Sequence, residues 1–206
     1  MTSMVEHDAK PSRAAGSKGP PGRSRGRELA LWILCHLESH PGEEREAAEL
    51  FWREPPTLEV GDEFIGSILA VELRELLDDG VAGRWARRLT EAYVADTSSV
   101  DATIERASQR WRLARMDRVD RNLLRLCVVE LRGEKTPRNV VVAEVVRLAA
   151  RYGAERSATF VNGLAEALAQ SLRDAVASEA ESAAESAAES AAESTSESVS
   201  KLGSTT

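Results

Sequence analysis

The chain has 206 residues, of which 42% are hydrophobic and 30% charged, and its formal net charge is −7. This size fits one ordinary domain with tails, or at most two small domains, and no apolar run approaches the roughly 20 residues that a membrane-spanning helix needs. The two cysteines, Cys35 and Cys127, lie among leucines and valines, as is typical of buried thiols in a reducing compartment. We therefore expect a cytoplasmic protein without membrane contact.

Charge divides the sequence into three parts. Residues 1–27 carry +4 and residues 176–206 carry −5, which leaves −6 for the residues between them. Residues 1–22 are rich in Gly, Pro, Ser and Lys, a composition that buries too little apolar surface to offset the entropy lost on ordering. We predict a disordered basic arm over residues 1–22, a folded body over residues 23–175 and an acidic tail over residues 176–206.

The tail repeats Glu-Ser-Ala-Ala from Glu181, so that glutamates recur every four residues. On a helix these like charges would stack at i and i+4, which costs a few tenths of a kcal/mol for each pair. No apolar stripe is present that would dock such a helix. We predict a tail that is disordered or only intermittently helical.

Apolar residues in the first half of the body recur with helical spacing. The first helix starts near Arg23 and ends before Pro41, and a short segment around residues 47–52 follows. A second strong helix is predicted over residues 62–79, with Gly80 as the residue just past its end.

A third helix is predicted to end before Thr97. Ser98 followed by Asp101 imitates a capping box, which predicts the start of a fourth helix. The apolar stripe of that helix runs from Val100 to Trp111.

Asp117 and the pair Thr136-Pro137 are start signals for two further helices. The last helix of the body is predicted over residues 157–173. No alternating strand of convincing length appears, so the predicted fold class is all-α.

Motifs of the common catalytic and metal sites are absent from the sequence. There is no Gly-rich phosphate loop, His-Glu-x-x-His, Cys-x-x-Cys or Gly-x-Ser-x-Gly, so we predict no enzyme activity, metal or cofactor. Glu72, Glu130 and Glu144 fall near apolar helix faces, which fits either paired catalytic carboxylates or acceptors for neighbouring arginines. The second interpretation is favoured because no nucleophile or metal set accompanies them.

Four motifs in order along the body resemble the NusB family of bacterial transcription antitermination factors. The resemblance covers about residues 23–172, and its most specific part is the Phe-Val-Asn-Gly-Leu sequence. The motifs are Arg23-x-Arg25-x-Arg27-Glu28, Val100-Asp101 through Glu130-Leu131, Pro137 through Tyr152-Gly153, and Phe160-Val161-Asn162-Gly163-Leu164.

The resemblance implies two small helical subdomains packed together. It implies binding to the boxA segment of nascent RNA, especially ribosomal RNA leaders, together with NusE, a small-subunit ribosomal protein with a second role in transcription. The pair would help RNA polymerase, within an antitermination complex, to read through termination signals. The chain departs from the family at Ala143, where Asn is usual, and at Arg147, where an acid is common.

The arginine-rich start, with Lys18 before it, is the predicted RNA contact. If Arg23, Arg25 and Arg27 are helical, alternate side chains point about 200° apart and do not share one surface. If the start is extended, Arg23 and Arg25 reach the same RNA strand while Arg27 anchors the helix. Arginine suits this role because its planar guanidinium binds phosphate in a bidentate manner and stacks on bases. The alternative is a solvated arm that only keeps the protein soluble.

The resemblance assigns roles to three further residues. It places the turn before the Phe-Val-Asn-Gly motif near the RNA path, which here indicates Arg156 and Phe160; the alternatives are a surface charge and core packing. Asp120 matches a family acid that faces NusE, and an exposed acid there would steer association with that basic protein; the alternative is a solvated charge. Asn162 and Gly163 are predicted to be structural, the glycine for a close helix approach.

Two competing functions fit the sequence less well. One is the helical RNA-binding module fused to ribosomal RNA methyltransferases, which is disfavoured because no cofactor-binding domain follows residue 175. The other is a helical protein–protein adaptor without RNA contact. The sequence leaves open whether the chain forms a homodimer.

Overall fold

We describe the protein from a computed structural model that covers residues 21–55, 73–108, 111–133 and 135–202. Lys18, Glu72 and most of the helix predicted over residues 62–79 lie outside these ranges.

The described residues form helices and short turns, with no β-strand among them, so the predicted all-α class is confirmed. Residues 73–78 are helical, and a 3-10 turn spans Leu113–Arg115. The longer helices are α1 (Pro21–Leu37), α2 (Glu44–Arg53), α3 (Gly80–Ala95), α4 (Thr97–Ala107), α5 (Arg118–Arg132), α6 (Arg138–Tyr152) and α7 (Ser157–Leu202).

Helix α5 is the centre of the bundle. Its residues from Asn122 to Leu131 are all buried, because leucine, valine and cysteine follow one another there with almost no polar interruption. On one side α1 and α3 pack together and α2 covers them; on the other, α6 and α7 pack together and α4 adjoins them. Since α5 touches both groups, the two predicted helical subdomains share this one helix as their common core.

A buried ion pair joins the first helix to this central helix. Arg27 is 2% exposed, its Nε donates to Oε2 of Glu130 at 2.7 Å, and its Nη2 donates to Oε1 at 2.5 Å. The Glu144 carboxylate on α6 lies 3.8 Å from Nη1 of the same guanidinium. One arginine therefore connects α1, α5 and α6.

Two further contacts hold α1 against α6. The Tyr152 hydroxyl donates to Oε1 of Glu28 at 2.5 Å, and the Ser24 hydroxyl donates to Oε1 of Glu144 at 2.9 Å. Arg147, which departs from the family pattern, adds an ion pair with Glu144 at 3.2 Å. The first and third family motifs thus pair with each other.

Gly26 allows α1 to approach α3 closely. A Cβ at this position would lie 2.7 Å from Cβ of Trp85 and 2.9 Å from the carbonyl oxygen of Ala82. Any side chain there would separate the two helices, so the glycine within the arginine-rich start is a packing requirement.

Three local predictions are wrong. Gly80 does not end a helix but begins α3, because the Asp79 carboxylate accepts from the amides of Val81 and Ala82. Asp101 takes no part in a capping box, since its carboxylate binds the Arg125 guanidinium at 2.7 Å. Trp111 lies outside α4 and is exposed, because that helix ends at Ala107.

The acidic repeat forms the C-terminal part of α7. The structure extends this helix to Leu202, whereas the sequence predicts disorder or intermittent helix. The body portion of α7 supplies a folded helical turn, and extending a helix is much easier than nucleating one. Ala and Glu also have high helix propensity.

Replacing Arg27 by alanine is expected to lower the free energy of unfolding by about 3–5 kcal/mol, because the Glu130 carboxylate would remain buried without its partner. Arg23→Ala is the matched control, and we expect it to cost about 1 kcal/mol or less, since the recorded contact of Arg23 with the described residues is with the Trp85 ring. Urea denaturation followed by circular dichroism measures both. Equal losses in the two variants would contradict the structural role of Arg27.

Candidate nucleic-acid interface

The arginine-rich start is helical, which resolves the alternatives left open by the sequence. Arg23, Arg25 and Arg27 all belong to α1. Arg23 and Arg27 are one turn apart, and their guanidinium carbons lie 4.5 and 5.9 Å from the centroid of Trp85. Arg25 points elsewhere, as a helix requires.

The prediction that Arg27 contacts RNA is corrected by the structure. Its guanidinium is buried and bonded to Glu130, so no surface is left for a ligand. The anchoring role that the sequence also suggested for Arg27 agrees with these contacts.

Arg25 is partly engaged at the start of α3. Its Nη2 donates to the carbonyl oxygen of Glu75 at 2.7 Å, and its Nε lies 3.1 Å from Oδ2 of Asp79. The amide of Ala82 lowers the pKa of the Asp79 carboxyl, and the charge of Arg25 acts in the same direction. Arg25 is half-exposed, so part of its donor set still faces solvent.

A cationic ledge surrounds Trp85, and we define it as Arg23, Arg88 and Lys135. The Arg88 guanidinium lies 5.2 Å from the Trp85 ring centroid, and Lys135 lines the same small cavity as Trp85 and Arg88. Within the described residues none of the three makes a salt bridge to a carboxylate. The ledge therefore presents uncompensated positive charge around an aromatic ring.

A small cavity of about 60 Å³ lies beside the ledge, and both Trp85 and Thr136 line it. The indole Nε1 of Trp85 and the hydroxyl of Thr136 are buried and make no hydrogen bond to a described residue. The acid that also lines the cavity, Glu130, is already engaged by Arg27. The donors that a group bound at the ledge would meet are therefore those of the ledge cations.

Arg156 and Phe160 lie on a second surface, at the start of α7. Arg156 is exposed, and its carbonyl oxygen accepts from the amide of Phe160 one turn later. Phe160 is half-buried and packs edge-to-face on Trp111, with ring centroids 6.1 Å apart. The ring therefore packs in part against the core, as the packing alternative predicts, and its contact with RNA stays a prediction.

The structural role predicted for Asn162 and Gly163 is wrong. Both residues are exposed, and nothing lies within 4 Å of where a Cβ on Gly163 would stand. The glycine therefore permits no close helix approach. It leaves open backbone on the surface of α7 instead.

Asp120 does not have the exposed position that its predicted steering role needs. The residue is 5% exposed, and its Oδ1 has no hydrogen-bond partner among the residues that the structure describes. Burial raises the pKa of the Asp120 carboxyl, the Ser157 side chain opposes this, and the charge of Asp117 adds to it. An acid in this environment exerts little long-range attraction on a partner, and the alternative of a solvated charge is equally excluded.

The remaining candidates for chemistry are structural. Glu130 accepts a hydrogen bond from Arg27, and Glu144 accepts one from Arg147. These contacts confirm the interpretation of the two glutamates as arginine partners. Cys35 and Cys127 are free thiols, and burial raises the pKa of Cys35 to about 11. In the described parts of the chain no group of three or more His, Cys, Asp or Glu is arranged to hold a metal ion, and no helix has the length and apolar character to cross a membrane.

Sequence reasoning missed Arg88, Lys135 and Trp111. Arg88 follows Trp85 by three residues, so helical periodicity places both on one face of α3. That spacing was the available signal for Arg88. Lys135 comes to the ledge only through the packing of α5 and α6, which no local pattern shows.

The comparison with known proteins agrees with the architecture. Residues 24–170 match the model of the NusB family. The transcription antitermination protein NusB of Sorangium cellulosum (strain So ce56) is 40% identical over 145 residues, which are 70% of this chain and 89% of that protein. The protein of the same name from Myxococcus xanthus (strain DK1622) is 37% identical over 145 residues, covering 70% and 91%.

Solved structures give the same result for the fold. T. maritima NusB superposes with a TM-score of 0.55 at 30% identity, covering 75% of this chain and 93% of the other. A chain in the crystal structure of a plectonemic RNA supercoil has a TM-score of 0.55 at 22% identity, covering 74% and 96%, and this likeness concerns the fold alone.

The helical fold and its relatives define a regulator of transcription, a class that is not enzymatic. Within that class, the chain belongs to the NusB family of transcription antitermination factors.

Replacing Asp120 by asparagine is expected to change the pH dependence of stability. The raised pKa of Asp120 means that folding favours the protonated carboxyl, so this group's contribution is fully present at low pH and is lost as pH rises through the raised pKa. The variant keeps a neutral side chain throughout, so its Tm relative to the unaltered protein should increase from about pH 4 to about pH 7.

Thermal melts at the two pH values measure this difference. Glu105→Gln is the matched control, because Glu105 is an exposed acid on α4 and is not among the groups that shift the pKa of Asp120. A pH-independent difference between Asp120→Asn and the unaltered protein would contradict the burial of an ionised carboxyl.

Proposed function

We propose that this protein promotes read-through by RNA polymerase by binding the boxA segment of nascent transcripts, above all ribosomal RNA leaders, together with NusE. Membership of the NusB family supports the activity. The geometry of the ledge supports the contact with RNA.

The observation that carries the proposal is the group of cations around Trp85, none of which forms a salt bridge with a described residue. Arg23 stacks on the ring, while Arg88 and Lys135 lie beside it. Single-stranded RNA is recognised by combining backbone phosphate contacts with stacking on aromatic rings and guanidinium planes. Arginine serves both purposes, because its planar group binds phosphate in a bidentate manner and stacks on bases.

The charge of the rest of the body limits where RNA can bind. Residues 28–175 carry −6, so most of the surface repels a polyanion. The ledge adjoins the beginning of α1, where the basic arm joins the body, and Lys18 precedes Arg23 by five residues in sequence. RNA contact should therefore concentrate at the ledge, Arg25 and Lys18.

Arg156 and Phe160 extend the proposed contact to α7. Arg156 supplies an exposed guanidinium, and the outward side of Phe160 supplies aromatic surface. Arg27 is left out of the proposed contact set because it is buried, and Asp120 is left out of the NusE contact for the same reason.

The double substitution Arg23→Ala with Arg88→Ala is expected to weaken binding to single-stranded boxA RNA. It should also reduce the log–log salt slope by about 1.4, because each lost phosphate contact on a single strand contributes about 0.7. Fluorescence anisotropy of labelled RNA at several salt concentrations measures both quantities.

Arg45→Ala with Arg53→Ala is the matched control. These two arginines are exposed on α2 and line a different cavity from the ledge residues, and their removal changes the net charge by the same amount. Equal affinity losses in the two double variants would show a general charge effect and would reject the ledge as the RNA contact.

Addition of NusE is expected to tighten binding of boxA RNA, since the two proteins together present more contact surface to one strand. The comparison uses titrations of the full-length protein with and without NusE at one salt concentration. An unchanged affinity would contradict joint recognition. NusE binding without any salt-dependent RNA binding would favour the protein–protein adaptor instead.

A further inference from the structure

The first turns of α1 have little helical stability of their own. The helix begins at Pro21, contains Gly22 and Gly26, and has no acidic residue in its first turn. Glycine has the lowest helix propensity after proline. Arg23 and Arg25 also place positive charge at the positive end of the helix dipole, which is unfavourable. Contacts with other helices must therefore keep this start helical.

One of these contacts joins the start of α1 to α6. The Ser24 hydroxyl donates to Oε1 of Glu144 at 2.9 Å. Ser24 is the neighbour of Arg23, whose guanidinium carbon lies 4.5 Å from the centroid of the Trp85 ring on α3. The hydrogen bond of Ser24 therefore bears directly on where Arg23 stands.

The Glu144 carboxylate depends on protein partners, because it is 4% exposed and a buried charge needs hydrogen bonds and an opposite charge. Its Oε2 accepts from Nη2 of Arg147 at 3.2 Å. Nη1 of Arg27 lies 3.8 Å from the same oxygen and makes no hydrogen bond to a described residue. The hydrogen bond to this second oxygen thus comes from Arg147.

The balance of charge gives Arg147 the same role. Arg27 is one buried cation between two buried acids, Glu130 and Glu144, and both oxygens of Glu130 already bind it. Arg147 is half-exposed and follows Glu144 by three residues on α6, so it reaches the carboxylate from the solvent side. Without Arg147, Glu144 would share a cation that is already engaged, and the carboxylate would turn towards water and away from Ser24.

We propose that Arg147 is a positioning residue for the RNA contact, which acts through Glu144 and Ser24 to keep the first turn of α1 helical in the free protein. Arg23 is then already stacked on Trp85 when RNA arrives, so no ordering of α1 has to accompany binding. This inference rests on the proposed function. It assigns a role to a residue at which the chain departs from the acid common in the family.

The test compares Arg147→Gln with the unaltered full-length protein by fluorescence anisotropy of labelled single-stranded boxA RNA. Affinity is expected to fall roughly 3- to 10-fold, the factor that corresponds to the loss of about one hydrogen bond. Arg147→Lys keeps the charge and a donor, so it should restore most of the affinity. Arg173→Gln is the matched control, because Arg173 is exposed on α7 and the change in charge is the same. Equal losses in the two glutamine variants would overturn the proposal.

A double-mutant cycle tests the route through Ser24. In the Ser24→Ala protein, Arg147→Gln should cause no further loss of affinity, because the hydrogen bond through which Arg147 acts is already absent. The log–log salt slope should stay the same, since the bound complex keeps its phosphate contacts. Additive losses in the cycle, or a slope reduced by about 0.7, would show that Arg147 acts on RNA without Ser24 and would overturn the positioning role.

Hydrogen exchange of the free protein supplies a measurement that needs no RNA. The amides of residues 25–28 should exchange faster in Arg147→Gln, whereas those in the centre of α5 should not change. Faster exchange throughout the bundle would show a general loss of stability and would contradict the proposal. If the unaltered protein does not bind boxA RNA, the proposed function fails, and the exchange rates still show separately whether Arg147 holds the start of α1.

Discussion

The pairing of Arg27 with Glu130 is the contact on which the rest of this structure depends. A guanidinium without water needs a carboxylate in good geometry, and Glu130 supplies both of its oxygens from the most buried helix of the bundle. This pairing sets the position of α1 along α5. Since Arg23 lies one turn earlier on the same face, it also determines that Arg23 reaches Trp85. The surface that we propose for RNA is therefore positioned by a side chain that never meets solvent.

Most of the fold could be predicted from the sequence, because helical periodicity, terminal glycines and prolines act locally. These signals predict the bounds of α1, α5 and α6, and the first residue of α7, close to where the structure has them. The candidate site was harder, because an arginine or aspartate looks the same in sequence whether it is paired or free. Arg27 and Asp120 were assigned to the surface and are buried, while Trp111 was assigned to the core and is exposed. The first two errors concern tertiary contacts between segments distant in the chain, whereas the third arises because α4 ends at Ala107, before Trp111.

The two proposed contact surfaces use the same chemistry in different arrangements. At the ledge, the aromatic ring is buried and the cations around it face outward. At the start of α7, the half-buried ring of Phe160 packs on the exposed ring of Trp111, and the exposed Arg156 lies one turn before Phe160. The first arrangement suits the phosphate backbone and the second suits bases. An acidic body that repels RNA elsewhere makes such a division of roles effective.

The length of α7 has a consequence for measurements of molecular size. Its 46 residues span about 69 Å at 1.5 Å per residue, which is far longer than the other helices. A rod projecting from a globule diffuses more slowly than a sphere of equal mass. Elution from a sizing column will therefore overstate the mass of a monomer and imitate a dimer. Light scattering or sedimentation equilibrium, which do not depend on shape, are the appropriate measures of self-association for this protein.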